Sequence, residues 1–266
     1  MIPSTNKNPS NPTHIWCLLF ALLCIGACSR SSNGDPSKAD AGIRSPERHP
    51  DPRASIWGTV RLNGVPPSLP PLHPSGDLRR YCGDEIPDRT LLVGSGGALA
   101  NAVISLEGNL PRMASESLPN APVLDQKGCM YLPPVVVAST GARLEVINSD
   151  PLLHNVHASL RTTPVFNVAM PLQGQHYVKE LPRTPGGIQV RCNVHPWMHA
   201  VIQTFDHPYF ALTNALGSYR IGDVPSGQYK LIFWHERLPR RTVELSLAPG
   251  QALERTMEWE AAEVER

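Results

Sequence analysis

The sequence predicts an all-β protein, and three observations point to that class. Proline (28) and glycine (20) are abundant in the 266 residues, and they recur about every eight to twelve residues, as turns between short strands do. The segments between them alternate apolar with polar residues or form short β-branched clusters. No segment keeps a helical period over any length. With 41% hydrophobic residues, the chain is long enough for two compact β units.

The charge balance excludes one class of partner. Lysine plus arginine (24) nearly cancels aspartate plus glutamate (23), which leaves a formal net charge of +1 at pH 7. A chain without an overall positive field is not drawn to nucleic acid. We therefore expect no nucleic-acid partner.

The N-terminus predicts export. Residues 15–27 form an apolar run that is too short to span a bilayer but suits the centre of a signal peptide. The order Ile-Gly-Ala before Cys28 resembles the lipobox of bacterial lipoproteins, and Ser29 resembles the residue found in those sorted to the outer membrane. The resemblance implies a signal peptide over 1–27 and a lipid anchor on Cys28, in the periplasm or at the outer membrane of a Gram-negative bacterium. A plain signal peptide with an incidental Cys28 is the alternative.

A tether follows the signal. Residues 28–54 contain almost no large apolar side chains and many proline, serine and charged residues. Such a segment cannot bury a core, so we expect it to be disordered. It would hold a folded domain away from a membrane surface.

The cysteines separate by position. Two of the six lie in the signal segment and one is Cys28, which leaves Cys82, Cys129 and Cys192. Three thiols in an oxidising compartment cannot all pair. The simplest solution joins Cys82 to Cys129 and leaves Cys192 as a free thiolate, although the other pairings stay open.

Residues 55–206 are expected to form the first folded domain, with an N-terminal extension before its core. Its predicted strands are SIWGTVRLNG, TLLVG, ALANAVISLEG, PVVVAS, ARLEVINS, VHASL, GGIQVRC and HAVIQTFD.

Residues 207–266 are expected to form a second, small β-sandwich. Strand-like segments alternate there with a glycine turn and a Pro-Ser-Gly turn. The stretch GSYRIGDVPSGQYKLIFW is similar to the carboxypeptidase regulatory-like domain, a transthyretin-like or immunoglobulin-like sandwich. That resemblance implies a packing or interaction module rather than chemistry.

Two histidine-containing motifs predict a metal site. In RCNVHPWMH at 191–199, Cys192, His195 and Met198 follow one another at intervals of three, in a short loop between two predicted strands. In HNVH at 154–157, His154 follows a strand and a turn at Asp150-Pro151. Two imidazoles, one thiolate and a weak thioether are the donors of a type 1 (blue) copper site.

These motifs resemble those of the cupredoxins, in particular the amicyanin and plastocyanin-like proteins, over roughly residues 85–205. The resemblance implies a Greek-key β-sandwich with one type 1 copper on His154, Cys192, His195 and Met198. It also implies that the Asn155 side chain pins the ligand loop. The segment DQKGCMYLP at 125–133 is similar to one in bacterial methylamine utilization proteins, which often continue with a histidine where this chain has Pro134.

Other metal centres fit the sequence less well. A binuclear copper centre would need a second cysteine in the ligand loop, and an oxidase or nitrite reductase would need further histidine pairs. Zinc could bind cysteine and histidine, but a long, weak methionine position suits copper better. We therefore expect copper and no enzymatic activity.

The expected function is one-electron transfer with periplasmic redox partners such as a c-type cytochrome or a dehydrogenase, at a membrane reached through the lipid anchor. His195 is expected to be the exposed edge for electron entry, beside an apolar patch of Pro196 and Trp197. Two alternatives remain: a copper-binding carrier or sensor lipoprotein, and a surface binding module whose copper is structural.

Overall fold

The computed structural model describes residues 52–112 and 121–265. The predicted signal peptide, Cys28 and nearly all of the predicted tether lie outside these residues. Within the described part of the chain, no helix is both long and apolar enough to cross a membrane.

The described residues confirm the all-β class. They contain seventeen strands, one four-residue α-helix, α1 (Arg79–Cys82), and short 3-10 turns. The first nine strands are β1 (Ala54–Asn63), β2 (Val103–Gly108), β3 (Val123–Lys127), β4 (Met130–Leu132), β5 (Val135–Ser139), β6 (Arg143–Asn148), β7 (His154–Leu160), β8 (Thr163–Met170) and β9 (Gln175–Glu180). The others are β10 (Gly186–Arg191), β11 (His199–Phe205), β12 (Phe210–Leu212), β13 (Ser218–Val224), β14 (Gly227–His235), β15 (Leu238–Leu247), β16 (Ala252–Glu254) and β17 (Met257–Glu260).

A first sandwich is built from two sheets, in the orders β5-β11-β10-β7-β8 and β4-β3-β6-β9. Both sheets turn alternate side chains into one apolar core, as period-2 patterning requires. Leu144 and Val146 of β6 face Val156 of β7 and Ile188 of β10 across this core. The core therefore holds β7 and β10, the two strands that lead into the metal motifs, in fixed register.

A disulfide ties this sandwich to the segment before it. Cys82, at the end of α1, is bonded to Cys129, in the turn between β3 and β4, and Cys192 is the free thiol of the described residues. The oxidised pair thus leaves one thiol available for metal.

A second sandwich consists of the sheets β12-β2-β14-β15 and β13-β1-β16, with β17 also paired to β1. Its core joins Ile56 and Leu62 of β1 to Phe233 of β14 and Trp259 of β17. The segment that resembles the carboxypeptidase regulatory-like domain contributes β13 and β14; that resemblance remains a prediction.

The strand pairing crosses the boundary expected at residue 207. All of β2, and all of β1 except Ala54, lie within 55–206, yet β1 pairs with β13, β16 and β17, and β2 pairs with β12 and β14. The described residues all belong to one compact unit. The strand predicted at TLLVG is wrong, because Val93 makes only an isolated bridge to Leu99. The following glycines fold the chain back on itself, with the Gly94 amide donating to the Ala98 carbonyl.

Candidate metal centre

The predicted ligands lie at one end of the first sandwich. His154 is the first residue of β7, and Cys192 follows the last residue of β10. These strands are antiparallel neighbours, with Arg191 opposite His157. Because the loop 192–198 leaves β10 at the end where β7 begins, it faces the start of β7. The Asn155 amide accordingly lies 3.5 Å from Cys192 Sγ.

Three of the four predicted ligands converge in the interior. His154 Nδ1 is 2.9 Å from His195 Nδ1, and Cys192 Sγ is 3.7 Å from His195 Nδ1. One donor atom from each of the three lies within 4.8 Å of the others. The exposed fractions of His154, Cys192 and His195 are 0%, 3% and 1%. These residues are a candidate metal-ligating group shielded from solvent.

Backbone hydrogen bonds fix the loop that carries the other ligands. The Cys192 amide donates to the Met198 carbonyl at 3.1 Å, and the Met198 amide donates to the His195 carbonyl at 2.9 Å. The His195 amide points at Cys192 Sγ, 3.4 Å away. Met198 itself is buried in the first core. The fourth predicted ligand is thus held on the same closed loop.

The thiol of Cys192 is prepared to ionise. Burial raises its pKa, but the contacts with the His154 and His195 imidazoles and the hydrogen bonds from the amides of Asn155 and His195 outweigh burial and lower the pKa to about 5. Since metals bind the thiolate rather than the thiol, these contacts favour the ligating form. The arrangement gives a thiolate beside two imidazoles near neutral pH.

Asn155 is in contact with the ligand loop that it is predicted to pin. Its side-chain oxygen accepts a hydrogen bond from the Asn193 amide, in the ligand loop. Its side-chain nitrogen donates to Asn167 on the neighbouring strand β8. Asn155 therefore links β7, β8 and the loop through one side chain.

Asp150 is a site neighbour that the sequence does not identify, because there it indicates only a turn. Its Oδ2 lies 2.9 Å from His154 Nε2, while the other ring nitrogen, Nδ1, faces His195. Burial raises the Asp150 pKa, but bonds from His154 and from the amides of Cys129 and Gly128 outweigh it, so the pKa falls. The one indication of this contact in the sequence is that Asp150 lies four residues before the predicted ligand His154.

The expectation that His195 forms an exposed edge is wrong. Its imidazole is buried, and the ring of Trp197 packs over it with centroids 5.3 Å apart. Trp197 is half-buried and donates its indole N–H to the Cys129 carbonyl at 3.1 Å. Trp197 therefore covers part of His195, because its hydrogen bond to the β3–β4 turn holds the indole against the imidazole, while Pro196 is exposed beside it.

Tyr131 is a second site neighbour that the sequence did not identify. It is buried, and its hydroxyl donates to the Asn155 carbonyl. Burial, and then the nearby charge of Cys192, raises the Tyr131 pKa far above its usual value. Tyr131 therefore stays a neutral hydrogen-bond donor to β7. His157, outside the ligand group, contacts Asn193 through Nδ1.

The donor spacing suits a first-row metal ion. Imidazole nitrogen and thiolate sulfur bind such ions at about 2.0 and 2.3 Å, so in a trigonal plane they would stand about 3.7 Å apart. The observed separation of Cys192 Sγ and His195 Nδ1 is 3.7 Å. The two imidazole nitrogens are 2.9 Å apart, the length of a hydrogen bond between them. In the same plane two imidazole nitrogens would stand about 3.5 Å apart, so a metal ion that replaces the proton of that bond requires the two rings to separate slightly.

Comparison with known proteins gives partial structural likenesses. No family model and no curated protein matches the chain. A Cu-containing nitrite reductase from Thermus scotoductus SA-01 matches over 36% of this chain and 25% of its own, at 18% identity and a TM-score of 0.29. The match thus spans about a quarter of that enzyme.

Two smaller proteins match over nearly their whole length. Amicyanin from Paracoccus versutus matches over 38% of this chain and 97% of its own, at 21% identity and a TM-score of 0.30. A purple cupredoxin from Nitrosopumilus maritimus matches over 32% and 99%, at 18% identity and a TM-score of 0.28.

Proposed function

We propose that the chain holds one type 1 copper ion and carries single electrons, without acting on a substrate. His154, Cys192 and His195 would be its main ligands and Met198 a weaker fourth one. The observation that carries the proposal is the buried thiol between two imidazoles, with its pKa lowered to about 5. A soft thiolate with two imidazoles is the donor set that copper takes in electron-transfer sites.

The surroundings of the ligands support electron transfer. The ligand loop is closed by its own backbone hydrogen bonds, and His154 is held from behind by Asp150. Ligands fixed in this way move little when the charge of a bound ion changes. Each electron transfer therefore requires less rearrangement of the ligand positions. Copper would supply the one-electron couple, while these residues keep water away and the ligand positions constant.

The transferred electron needs a route to the metal and a redox partner. Trp197 lies against the buried His195 and reaches towards solvent, so it is the aromatic group through which an electron would enter. A c-type cytochrome or dehydrogenase of the periplasm would be the partner. The predicted export signal and the lipobox-like sequence before Cys28 support that location and an attachment to the membrane.

Absorption spectroscopy of the copper-loaded protein tests the assignment. One equivalent of Cu(II) should give an intense blue charge-transfer band, because the band arises from a thiolate bound to copper. Cys192→Ser should abolish the band, whereas the control His157→Gln, which changes a neighbouring histidine outside the ligand group, should keep it. A colourless protein that retains one copper would contradict the type 1 site.

Voltammetry separates electron transfer from copper carriage. We expect a reversible one-electron wave and slow loss of copper to a Cu(I) chelator, since the ligands are buried. Fast loss to the chelator together with no electron exchange with a cytochrome would instead favour a copper carrier.

A further inference from the structure

We infer that Asp150 is a positioning residue for the metal centre, which it serves by fixing the proton and the orientation of the His154 imidazole. The inference rests on the proposed function, because His154 is one of the proposed ligands. Asp150 lies in the connection between β6 and β7 and is 7% exposed. It is thus a buried carboxylate directly behind a proposed ligand.

The Asp150 carboxylate accepts three hydrogen bonds. Oδ1 accepts from the Gly128 amide at 2.7 Å, and Oδ2 accepts from the Cys129 amide at 2.8 Å. Oδ2 also contacts His154 Nε2 at 2.9 Å. An ionised carboxylate only accepts, so the proton of this last bond belongs to Nε2.

The position of that proton decides which nitrogen can bind a metal. In the neutral imidazole with Nε2 protonated, the lone pair of His154 is on Nδ1. Nδ1 is the atom that faces the other ligands, at 2.9 Å from His195 Nδ1. A carboxylate behind a ligand histidine also strengthens the imidazole as a donor. Asp150 therefore selects the ligating form of His154 before any metal binds.

The β3–β4 turn holds Asp150 in place. Gly128 and Cys129 both have positive φ angles, 61° and 58°, as a tight two-residue hairpin turn requires. This conformation aims their two amides at Asp150, and the disulfide to Cys82 anchors the turn. The Cys129 carbonyl accepts the Trp197 indole N–H. One turn therefore contacts both ligand-bearing segments: β7 through Asp150, and the loop 192–198 through Trp197.

Asparagine cannot replace this carboxylate. An amide has the same shape but only one acceptor oxygen, and its NH2 group would face a donor. Asp150→Asn therefore leaves at least one of the three donors without a partner. A change in such an outer partner typically costs about 10- to 100-fold in metal affinity.

The test compares Asp150→Asn with Asp125→Asn. Asp125 lies on the adjacent strand β3 and accepts from the Ser149 hydroxyl at 2.9 Å, and no histidine is among its hydrogen-bond partners. Copper affinity, by competition with chelators, should fall 10- to 100-fold in Asp150→Asn and stay within about twofold of wild type in Asp125→Asn. If Cu(II) affinity falls tenfold more than Cu(I) affinity, the reduction potential rises by about 59 mV. Equal affinities and potentials in the two variants would overturn the inference.

A second measurement requires neither copper nor a substituted protein. In the metal-free wild-type protein, nitrogen-15 NMR of the histidine rings should show a proton on His154 Nε2 that exchanges slowly with solvent. A proton on Nδ1 alone, or fast exchange at Nε2, would overturn the role of Asp150. If this signal is present and the protein binds no copper, the proposed function fails while the role of Asp150 in orienting His154 stands.

Discussion

Cys192 is the residue that distinguishes this site from an ordinary pair of buried histidines. Its spacing from His195, and its place after a strand, were visible in the sequence, and the structure brings both residues to His154. Asp150 was not foreseen, because its contact with His154 depends on the path of the chain between β6 and β7. The burial of His195 was also unforeseen, since it results from Trp197, which the β3–β4 turn holds in place.

The buried His235 is expected to make the free energy of unfolding depend on pH. It is 2% exposed, and burial lowers its pKa to about 4, against the opposing influence of Glu236 and the Ala100 carbonyl. The unfolded imidazole titrates near 6.5, so below that pH the unfolded chain binds more protons than the folded one. The contribution of His235 is therefore fully present above pH 6.5 and is lost as the pH falls towards 4. Its size is about 3 kcal/mol.

Urea unfolding at several pH values checks this expectation. Between pH 6.5 and 4, His235→Gln should lose less free energy of unfolding than wild type, by about 2 to 3 kcal/mol. His176→Gln is the matched control, because His176 is exposed and paired only with Glu145. Parallel pH curves for wild type and His235→Gln would contradict the assignment.

Among the elements, β10 and β11 could be predicted from the sequence. Their apolar residues alternate with polar ones or form short clusters, and the two strands flank the metal motif. The β3–β4 hairpin was not predicted, although the Gly128-Cys129 pair carries its turn. Cys129 is a poor sequence signal for a positive φ angle, since residues other than glycine seldom adopt it. Here the disulfide and two hydrogen bonds, from its amide and to its carbonyl, hold it there.

The disulfide between Cys82 and Cys129 anchors the β3–β4 turn. It joins cysteines 47 residues apart, and a loop of that length implies about 4 kcal/mol of stabilisation in the chain-entropy model. The double variant C82S/C129S should lose about that much free energy of unfolding, measured in urea. It should also bind copper more weakly than wild type, because the turn that holds Asp150 loses its anchor. Loss of stability with unchanged copper affinity would show that the turn positions Asp150 without the disulfide.

Over the whole molecule, the sequence predicts two β units in succession. The described chain instead begins in the second sandwich with β1 and β2, forms the first sandwich from β3 to β11, and completes the second with β12 to β17. Local patterning cannot show that Val60 pairs with Met257 or Phe233 with Ile104, because each partner is far along the chain. The result is that β1 and β2 complete the core that contains Trp259.

Truncation tests this organisation. A chain of residues 52–206 keeps every strand of the first sandwich but leaves β1 and β2 without their sheet partners. We expect it to bind a hydrophobic dye and to aggregate, because the apolar faces of these strands become exposed. Residues 52–266 serve as the control. A soluble, monomeric 52–206 chain that binds no dye would contradict the expected dependence on the C-terminal strands.

X-ray absorption spectroscopy of the copper-loaded protein tests the central claim most directly, because it counts the ligand atoms around the metal. The ligand group of His154, Cys192 and His195 predicts one short copper–sulfur distance and two copper–nitrogen distances. The sulfur contribution should disappear in Cys192→Ser. A copper ion surrounded only by nitrogen and oxygen in the wild-type protein would contradict the proposed site.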